Sequence, residues 1–404
     1  MKILDLLKSD DQRFGKNLWL FLGAYFLVLF NYPLVRASST TFFFEAFGAK
    51  STPAAWLWAV LFLTVAITIC NKLQSIFTVQ KVFLIASLFS ALIFSGSLLG
   101  TSKFMPYGGF IWKDIYIVIQ VHLLLAYANS IFSREEFKVL IGPIGAVGSL
   151  GGVLGGLLTS YLSSQSGTLL VMIVGIVFVF APALFFFGTP ALLKLEEMRQ
   201  KQGSPLASLN TPDLKRYVIY IALIVGLTQF IINIADFRFN LVFEQSYTDS
   251  TLRTIMLGHV YTWTNLVTLI FQFLVLPFLL PRISEKNLHL FIPLSYLACV
   301  GGLIIGQGVG FIAISALYIY FKAADYSLFS AGKEMLYHPL RPEQKYGAKY
   351  LTDMLMYRAS KAMIAAVLIY LQSSMILNMM MIIFLSLWVI MILKLFQLHR
   401  KIFS

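Results

Sequence analysis

Long apolar stretches recur along the whole chain, and no other feature of the sequence constrains its fold as strongly. Only 12% of the 404 residues are charged and 58% are hydrophobic, whereas soluble domains carry about a quarter charged residues. Apolar runs of about 18 residues or more are typical of membrane-spanning helices. Because lipid offers the backbone no hydrogen-bond partners, such spans must satisfy their own backbone groups. The sequence therefore predicts an all-α integral membrane protein.

Hydropathy divides the chain into about twelve predicted spans. In chain order they lie near 17–36, 53–71, 80–99, 110–132, 138–163, 168–191, 216–240, 255–280, 287–306, 308–329, 352–371 and 374–395. The longest polar segment, 192–215, follows the sixth span and is predicted to be a cytoplasmic linker. We therefore expect two pseudo-symmetric six-helix halves, 1–191 and 216–404, which is the plan of major facilitator transporters.

The net charge of +13 follows the predicted topology. Loops on one side of the spans hold most of the Lys and Arg residues. The other side holds only Lys50, Lys103, Arg253 and Lys113, the last at the start of the fourth span. Positive loops remain in the cytoplasm, so both termini are predicted to be cytoplasmic. This distribution accounts for the positive charge without a nucleic-acid partner.

A repeat is visible in the first and seventh predicted spans. Asn31 lies five residues before Arg36, and Asn233 lies five residues before Arg238. The offset, 238 − 36 = 202, is half of the 404-residue chain. A second echo joins "SIFS" at the end of the fourth span to "SLFS" at the end of the tenth, with an offset of 330 − 133 = 197. Two echoes at nearly one offset indicate two related halves.

Arg36 and Arg238 are the first candidates for a binding site. An arginine inside a membrane costs at least about 2.5 kcal/mol, so it faces a polar cavity or a partner. Two arginines at equivalent places in two halves would attract an anion. The alternative is an arginine that extends to the lipid headgroups. That alternative fits Arg36 better than Arg238, which has Asp236 close by, and we favour the cavity for the pair.

Other polar side chains within predicted spans mark further candidates. They are Gln120 in the fourth span, Lys322 and Asp325 in the tenth, and Arg358 in the eleventh. Lys322 and Asp325 are three residues apart and share one helix face. Two interpretations stay open for them: a structural ion pair that keeps the bundle in register, or a contribution to a solute pathway.

The sequence contains no motif of catalysis or metal binding. Gly148, Gly152 and Gly156 recur every four residues in the fifth span and favour close helix packing. A phosphate-binding loop would need a preceding strand and a Gly-Lys-Ser/Thr sequence. Cys70 and Cys299 lie inside predicted spans and imply no disulfide framework. We therefore expect a protein that is not an enzyme and uses no cofactor and no metal.

Two segments resemble the ATP/ADP translocase (nucleotide transporter) family of intracellular bacteria and plastids. They are "LLAYANSIFSREEFKVLIGPIGAVGSLGGVLGGLLTSYL" (124–162) and "KAADYSLFSAGKEMLYHPLRPEQKYGAKYLTDMLMYR" (322–358). The second is the more specific, because "DYSL", "KEMLY", "PL" and "KY" followed by "AK" occur in order. "NYPLVR" and "INIADFRF" are similar to the family's first and seventh helices. The resemblance implies twelve helices and the exchange or import of nucleotides across a membrane.

The chain departs from this family at charged positions. Family carriers place an Asp and a Lys just after the arginine of the first helix, where this chain has Ala-Ser-Ser-Thr at 37–40. The family Lys of the seventh helix corresponds to Asn240, and the functional Glu of the fourth helix corresponds to Gln120. The acidic residue of the seventh helix is kept as Asp236. The resemblance therefore implies a binding site with less positive charge than in those carriers.

We expect a secondary transporter that moves an anionic solute, either a nucleotide or a related metabolite, by alternating access. The alternatives are a major facilitator carrier of a different organic anion, peptide-like compound or drug, and a membrane scaffold that does not transport. The expected substrate-binding residues are Arg36, Arg238, Asp236, Asn240, Gln120, Lys322, Asp325 and Arg358. The expected partners are a small anionic solute and the lipid bilayer, and no nucleic-acid polymer. We expect a monomeric antiporter in a bacterial inner membrane.

Overall fold

Helices make up most of the computed structural model, which describes residues 15–100, 102–132, 134–190, 209, 211–306 and 310–403. The α-helices are α1 (Gly15–Phe47), α2 (Thr52–Gln74), α3 (Val79–Leu99), α4 (Phe104–Ile131), α5 (Arg134–Phe178), α6 (Ala181–Phe186), α7 (Pro212–Ser246), α8 (Ser250–Ile270), α9 (Leu276–Leu279), α10 (Glu285–Ile305), α11 (Phe311–Ala324), α12 (Ser330–Leu336), α13 (Pro342–Lys349), α14 (Tyr357–Tyr370) and α15 (Ser374–Phe403). No strand occurs in the described residues. The predicted all-α fold class is confirmed.

Within those described ranges, nine helices are long and apolar enough to cross a membrane. One of them, Val139–Phe186, contains the fifth and sixth predicted spans. The two spans separate at Ser166 and Gly167, where the backbone leaves the helical conformation. Gly167 has a φ of 76°, which a residue without a Cβ adopts without strain. The break lies between the predicted span limits of 163 and 168.

In the described residues of the second half of the chain, three π-helical turns interrupt the helices. They are Phe271–Val275, Asp325–Phe329 and Tyr350–Met356. The second turn joins α11 to α12, and the third joins α13 to α14. The resulting continuous helical stretches overlap the tenth and eleventh predicted spans. The structure is therefore compatible with twelve spans.

The helices form two compact units. As far as the structure describes them, unit 1 comprises Met1–Gly48, Leu61–Arg199 and Tyr247–Leu269. Unit 2 comprises Ala49–Val60, Gln200–Ser246 and Ile270–Ser404. Most of the predicted linker at 192–215 lies outside the described residues, and the division into halves at 1–191 and 216–404 stays a prediction.

One long helix lies at the centre of each unit. In unit 1, α1 packs against α4 and α5, and in unit 2, α7 packs against α11, α14 and α15. Large apolar side chains elsewhere are exposed, such as Leu184 at 78% and Ile305 at 86%. Such a surface suits lipid, in which apolar side chains gain nothing by being buried. The two candidate arginines belong to the two central helices.

Within unit 1, the backbones of α5 and α8 are in direct contact through small residues. A Cβ atom added to Gly156 would lie 2.8 Å from the carbonyl oxygen of Gly258, and one added to Gly258 would lie 2.8 Å from the carbonyl oxygen of Gly156. The Ser160 hydroxyl donates to the Ile255 carbonyl at 2.9 Å. The predicted glycine packing face is thus used as expected. It fixes the position of Tyr261, which follows Gly258 on α8.

Candidate functional site

Arg238 is buried in unit 2 beside a neutral partner. The residue is only 4% exposed, so protein encloses it and it does not extend to lipid headgroups. Its Nη1 donates to Oδ1 of Asn378 on α15. Within the described part of the chain, no carboxylate forms an ion pair with Arg238. A buried ion without a counter-charge is costly, so this position is prepared for an anion.

Asp236 and Lys322 form an ion pair that connects α7 to α11. Lys322 Nζ lies 3.1 Å from Asp236 Oδ2, and the two side chains are 12% and 15% exposed. The spacing of three residues between Lys322 and Asp325 made Asp325 the predicted partner. The structure shows that a residue of another helix also pairs with this lysine. The carboxylate nearest to Arg238 along α7 is therefore engaged elsewhere.

Two asparagines share the face of α7 that carries Asp236. Asn233 lies three residues before Asp236, and Asn240 lies four residues after it, spacings that bring side chains to one face. Asn233 Nδ2 donates to the Gln229 carbonyl at 2.7 Å. Asn240 is 7% exposed, and its side chain forms no hydrogen bond with any described residue. Its amide is available to a bound solute.

Arg36 lies against aromatic rings in unit 1. Its Cζ is 4.3 Å from the centroid of the Tyr261 ring on α8 and 5.5 Å from the centroid of the Tyr32 ring on α1. Cation–π contacts of this kind contribute about 0.5–2 kcal/mol. Stacking occupies the face of a guanidinium, while oxyanions bind at its edge. Aromatic contact and anion binding are therefore compatible at Arg36.

Lys113 and Asp114 on α4 form a buried pair that sequence reasoning missed. Lys113 Nζ lies 3.0 Å from Asp114 Oδ1, and the lysine side chain is 5% exposed. The Tyr32 hydroxyl donates to the same carboxylate oxygen at 3.4 Å, which links the pair to α1. Lys113 lies nine residues after the start of α4 at Phe104, and not at the start of the helix as the sequence predicted; its place on the outer side stays a prediction. The available signal was a charged dipeptide inside the apolar run "GFIWKDIYIV".

Gln120 forms a bridge between α4 and α3. Its Nε2 donates to the Ser87 hydroxyl at 3.0 Å, and the residue is 1% exposed. Its Oε1 has no hydrogen-bond partner among the described residues. A buried acceptor left without a partner costs about 1–3 kcal/mol. The observed contact is between helices, and a role for Gln120 in solute binding stays a prediction.

Asp325 and Arg358 occupy different places in unit 2. Asp325 is the first residue of the π-helical turn that follows α11. Arg358 is on α14, and its Nη2 lies 4.0 Å from the sulfur of Met354, one turn earlier. Among the described residues, Arg358 forms no hydrogen bond or ion pair with another candidate. The structure thus brings Asp236 to Lys322 and Arg238 to Asn378, but it does not bring Arg358 to either pair.

The segment that follows Arg36 offers no positive charge. Residues 37 to 39 are 0% exposed and Thr40 is 4% exposed. The Ser38 hydroxyl donates to the Leu34 carbonyl at 2.6 Å, and the Thr40 hydroxyl donates to the Arg36 carbonyl at 2.7 Å. These two hydroxyls bond to their own helix. The departure from the family pattern at 37–40 therefore reduces the cationic charge on this part of α1.

The chemistry of the candidate residues is that of binding. They supply guanidinium, ammonium, carboxylate, amide and aromatic groups. In the part of the chain that the structure describes, no group of three or more His, Cys, Asp or Glu residues is placed to hold a metal ion.

Comparison with known families identifies the C-terminal part of the chain. Residues 294–402 match the sequence model of the family described as "TLC ATP/ADP transporter". The matched region includes Lys322, Arg358 and Asn378, and all of the "KAADYSLFSAGKEMLYHPL" segment. A search of curated proteins found no match.

Solved structures described as transporters have a similar fold. The nucleoside transporter NupG, as its D323A mutant, has a TM-score of 0.69 and 13% sequence identity, and the alignment covers 95% of this chain and 100% of NupG. The POT family transporter PepTSo has a TM-score of 0.66 and 11% identity, with 95% of this chain and 98% of PepTSo covered. At such low identity these similarities show the fold. The resemblance to the TLC ATP/ADP transporter family is therefore confirmed over residues 294–402, in an integral membrane protein that has the major facilitator fold.

Proposed function

We propose that the chain is a secondary transporter of nucleotide-translocase lineage that carries a nucleotide or a related anionic nucleoside derivative by alternating access. The family match over 294–402 supports the lineage. The similarity to a structure described as a nucleoside transporter supports a solute with a nucleoside part. The major facilitator fold supports the mechanism, in which two repeats rock around a central site.

Arg238 is the observation that carries this proposal. It is an enclosed guanidinium whose partner, Asn378, is neutral. Replacing the hydration shell of a buried ion by neutral groups alone is expensive. A carboxylate or phosphate of the solute would supply the missing charge and could bind at two points, as arginine favours. Arg238 is therefore the proposed anchor for the anionic group.

Arg36 and the Asp236–Lys322 pair are proposed to complete recognition. Tyr32 and Tyr261 beside Arg36 offer flat faces on which a nucleobase could stack. The chain lacks the family's additional lysines at 37–40 and at Asn240. We therefore propose a solute with fewer negative charges than a nucleoside triphosphate, such as a monophosphate.

The topology belongs to the same proposal. The distribution of basic loops supports a topology in which both termini and the 192–215 linker are cytoplasmic, and we propose that the protein is a monomeric exchanger in a bacterial inner membrane. Reporter fusions after Gly203 and after Ser404 test this orientation. Both should read as cytoplasmic, and opposite readings would contradict the twelve-span topology.

A ligand screen on the purified protein tests the function. Adenosine, AMP, ADP and ATP are added in turn, and thermal unfolding is followed, because a ligand that binds the folded state raises its apparent stability. AMP should stabilise more than adenosine, and Arg238→Gln should remove the difference. Uptake of labelled AMP into proteoliposomes then separates transport from binding. Failure of all four compounds to stabilise or enter would contradict the proposal.

A second candidate is a carrier of a peptide-like compound. The similarity to a structure described as a POT family transporter and the missing family lysines favour it. Di- and tripeptides in the same screen test this alternative. Stabilisation by peptides and none by nucleotides would replace the first proposal.

A further inference from the structure

Asn378 of α15 is the hydrogen-bond partner of the Arg238 guanidinium. No sequence pattern pointed to it, because it is uncharged and lies 140 residues from Arg238. Yet its Oδ1 accepts from Arg238 Nη1, and this is the hydrogen bond that the structure gives to the guanidinium. We propose that Asn378 is a positioning and specificity residue of the anion site. This inference rests on the function proposed above.

The choice of an amide at this position has an electrostatic consequence. A carboxylate at 378 would satisfy the guanidinium with an opposite charge and would compete with any anionic solute. An apolar side chain would leave the guanidinium without a partner and free to change rotamer. The amide does neither of these, because it accepts one hydrogen bond and carries no charge.

The amide also leaves donors for the solute. A guanidinium has five N–H groups, and Asn378 engages one of its nitrogens. The Nδ2 group of Asn378 donates to no described residue. Arg238 and Asn378 together can therefore offer several N–H donors to one oxyanion, which is the donor set that binds carboxylate or phosphate.

Three acids of unit 2 are engaged by lysines rather than by Arg238. Asp236, two residues before Arg238, is engaged by Lys322 at 3.1 Å. Asp353 is engaged by Lys333 at 2.7 Å, and Glu334 is engaged by Lys349 at 2.7 Å. Because residue 378 is neutral, Arg238 is left to bind an anion. An acid at 378 would make it part of a structural ion pair.

Substitution of Asn378 by Asp tests the inference, since the two side chains have nearly the same shape. AMP and adenosine are titrated against the full-length wild-type and variant proteins. In Asn378→Asp, the dissociation constant for AMP should rise at least tenfold, in line with the usual strength of hydrogen bonds to charged groups. Adenosine affinity should stay within twofold. The unliganded variant should unfold at the same or a higher temperature, because the new carboxylate pairs with Arg238.

The control is Asn287→Asp, which makes the same chemical change at an exposed position on α10. It should leave the affinity for AMP unchanged. In an Arg238→Gln background, Asn378→Asp should have no further effect on AMP binding, because its target has been removed.

Three outcomes overturn the inference. One is an Asn378→Asp variant that binds AMP as tightly as wild type. If wild type still prefers AMP to adenosine in that case, only the inference fails and the proposed function stands. If Asn378→Asp fails to fold, Asn378→Ala is measured instead, and a wild-type AMP affinity in that variant is the second outcome. The third is a wild-type protein that binds neither AMP nor adenosine, which would overturn the proposed function as well.

Discussion

The central helices α1 and α7 carry the same Asn–Arg spacing, yet their arginines have different neighbours. Arg36 lies on aromatic rings, with Tyr261 at 4.3 Å. Arg238 is enclosed and donates to an amide. Position 236 − 202 = 34 is Leu34 in α1, whereas α7 has Asp236 there. The repeat therefore sets the position of an arginine on each of the two helices. The neighbouring helices determine which groups surround that arginine and hence what it can bind.

The largest effect is expected when the acid that distinguishes α7 is neutralised. Asp236→Asn leaves Lys322 without this carboxylate, and breaking a buried pair in this way costs about 3–5 kcal/mol. Replacing both partners, Asp236→Leu with Lys322→Met, makes this part of α7 resemble α1 and should recover most of the stability. Thermal unfolding of the three proteins measures both effects.

The matched control for that prediction is Asp213→Asn. Asp213 pairs with Lys401 at 2.9 Å, but the two side chains are 37% and 69% exposed. Exposed pairs contribute about 0–1 kcal/mol, so this variant should unfold close to wild type. Equal unfolding temperatures for Asp213→Asn and Asp236→Asn would contradict the claim that the enclosed Asp236–Lys322 pair stabilises the fold more than the exposed Asp213–Lys401 pair.

Replacing each arginine separately extends the comparison of α1 and α7 to AMP binding. Arg238→Gln should weaken AMP binding on the order of 10- to 100-fold, as expected for a charged hydrogen bond of about 1.5–3 kcal/mol. Arg238→Lys should recover only part of it, because lysine lacks the planar fork. Isothermal titration of each variant gives the affinities.

Arg36→Gln is the companion measurement. If both arginines contribute to one solute, the double variant should lose less than the sum of the two single losses. A wild-type AMP affinity in well-folded Arg36→Gln would remove Arg36 from the proposed site. It would leave Arg238 as the anchor.

A smaller effect is expected from the ring beneath Arg36. Tyr261→Leu removes a cation–π contact of about 0.5–2 kcal/mol and should weaken AMP binding by up to about tenfold. Tyr261→Phe keeps the ring and should bind as wild type. If Tyr261→Leu reduces AMP affinity by the same factor in an Arg36→Gln background, Tyr261 acts independently of Arg36.

The smallest effect is expected at Glu334 on α12. Its carboxylate lies 2.7 Å from Lys349 and 3.9 Å from Lys345, with its side chain 39% exposed. Glu334→Gln should therefore change stability by less than about 1 kcal/mol. If this cluster opens and closes during transport, the variant should transport AMP at a different rate with unchanged affinity. An unchanged rate would leave these charges a role in topology alone.

The sequence predicts the parts of this structure that depend on local pattern. Apolar runs predict the spans, and the Asn–Arg repeat predicts equivalent arginines on α1 and α7. Partners across helices are less accessible, because they depend on how distant segments pack. Spacing suggested Asp325 for Lys322, while the packing of α7 on α11 supplies Asp236. The sequence did not mark Asn378 as a partner of Arg238, since polar uncharged residues are common in spans. Lys113 was misplaced because α4 begins earlier than hydropathy indicates.

The π-helical turns have a consequence for how related sequences should differ. A π turn accommodates one residue more than an α-helical turn, so deleting that residue restores the α-helix while the side chains beyond it keep nearly the same rotational phase. Lys333 follows the turn Asp325–Phe329, and its partner Asp353 lies within Tyr350–Met356, with 2.7 Å between the charged atoms. A relative whose alignment shows a one-residue gap in either turn should therefore keep this ion pair. Alignment gaps at these two places would record an insertion that the π turn absorbs without rotating the last helices.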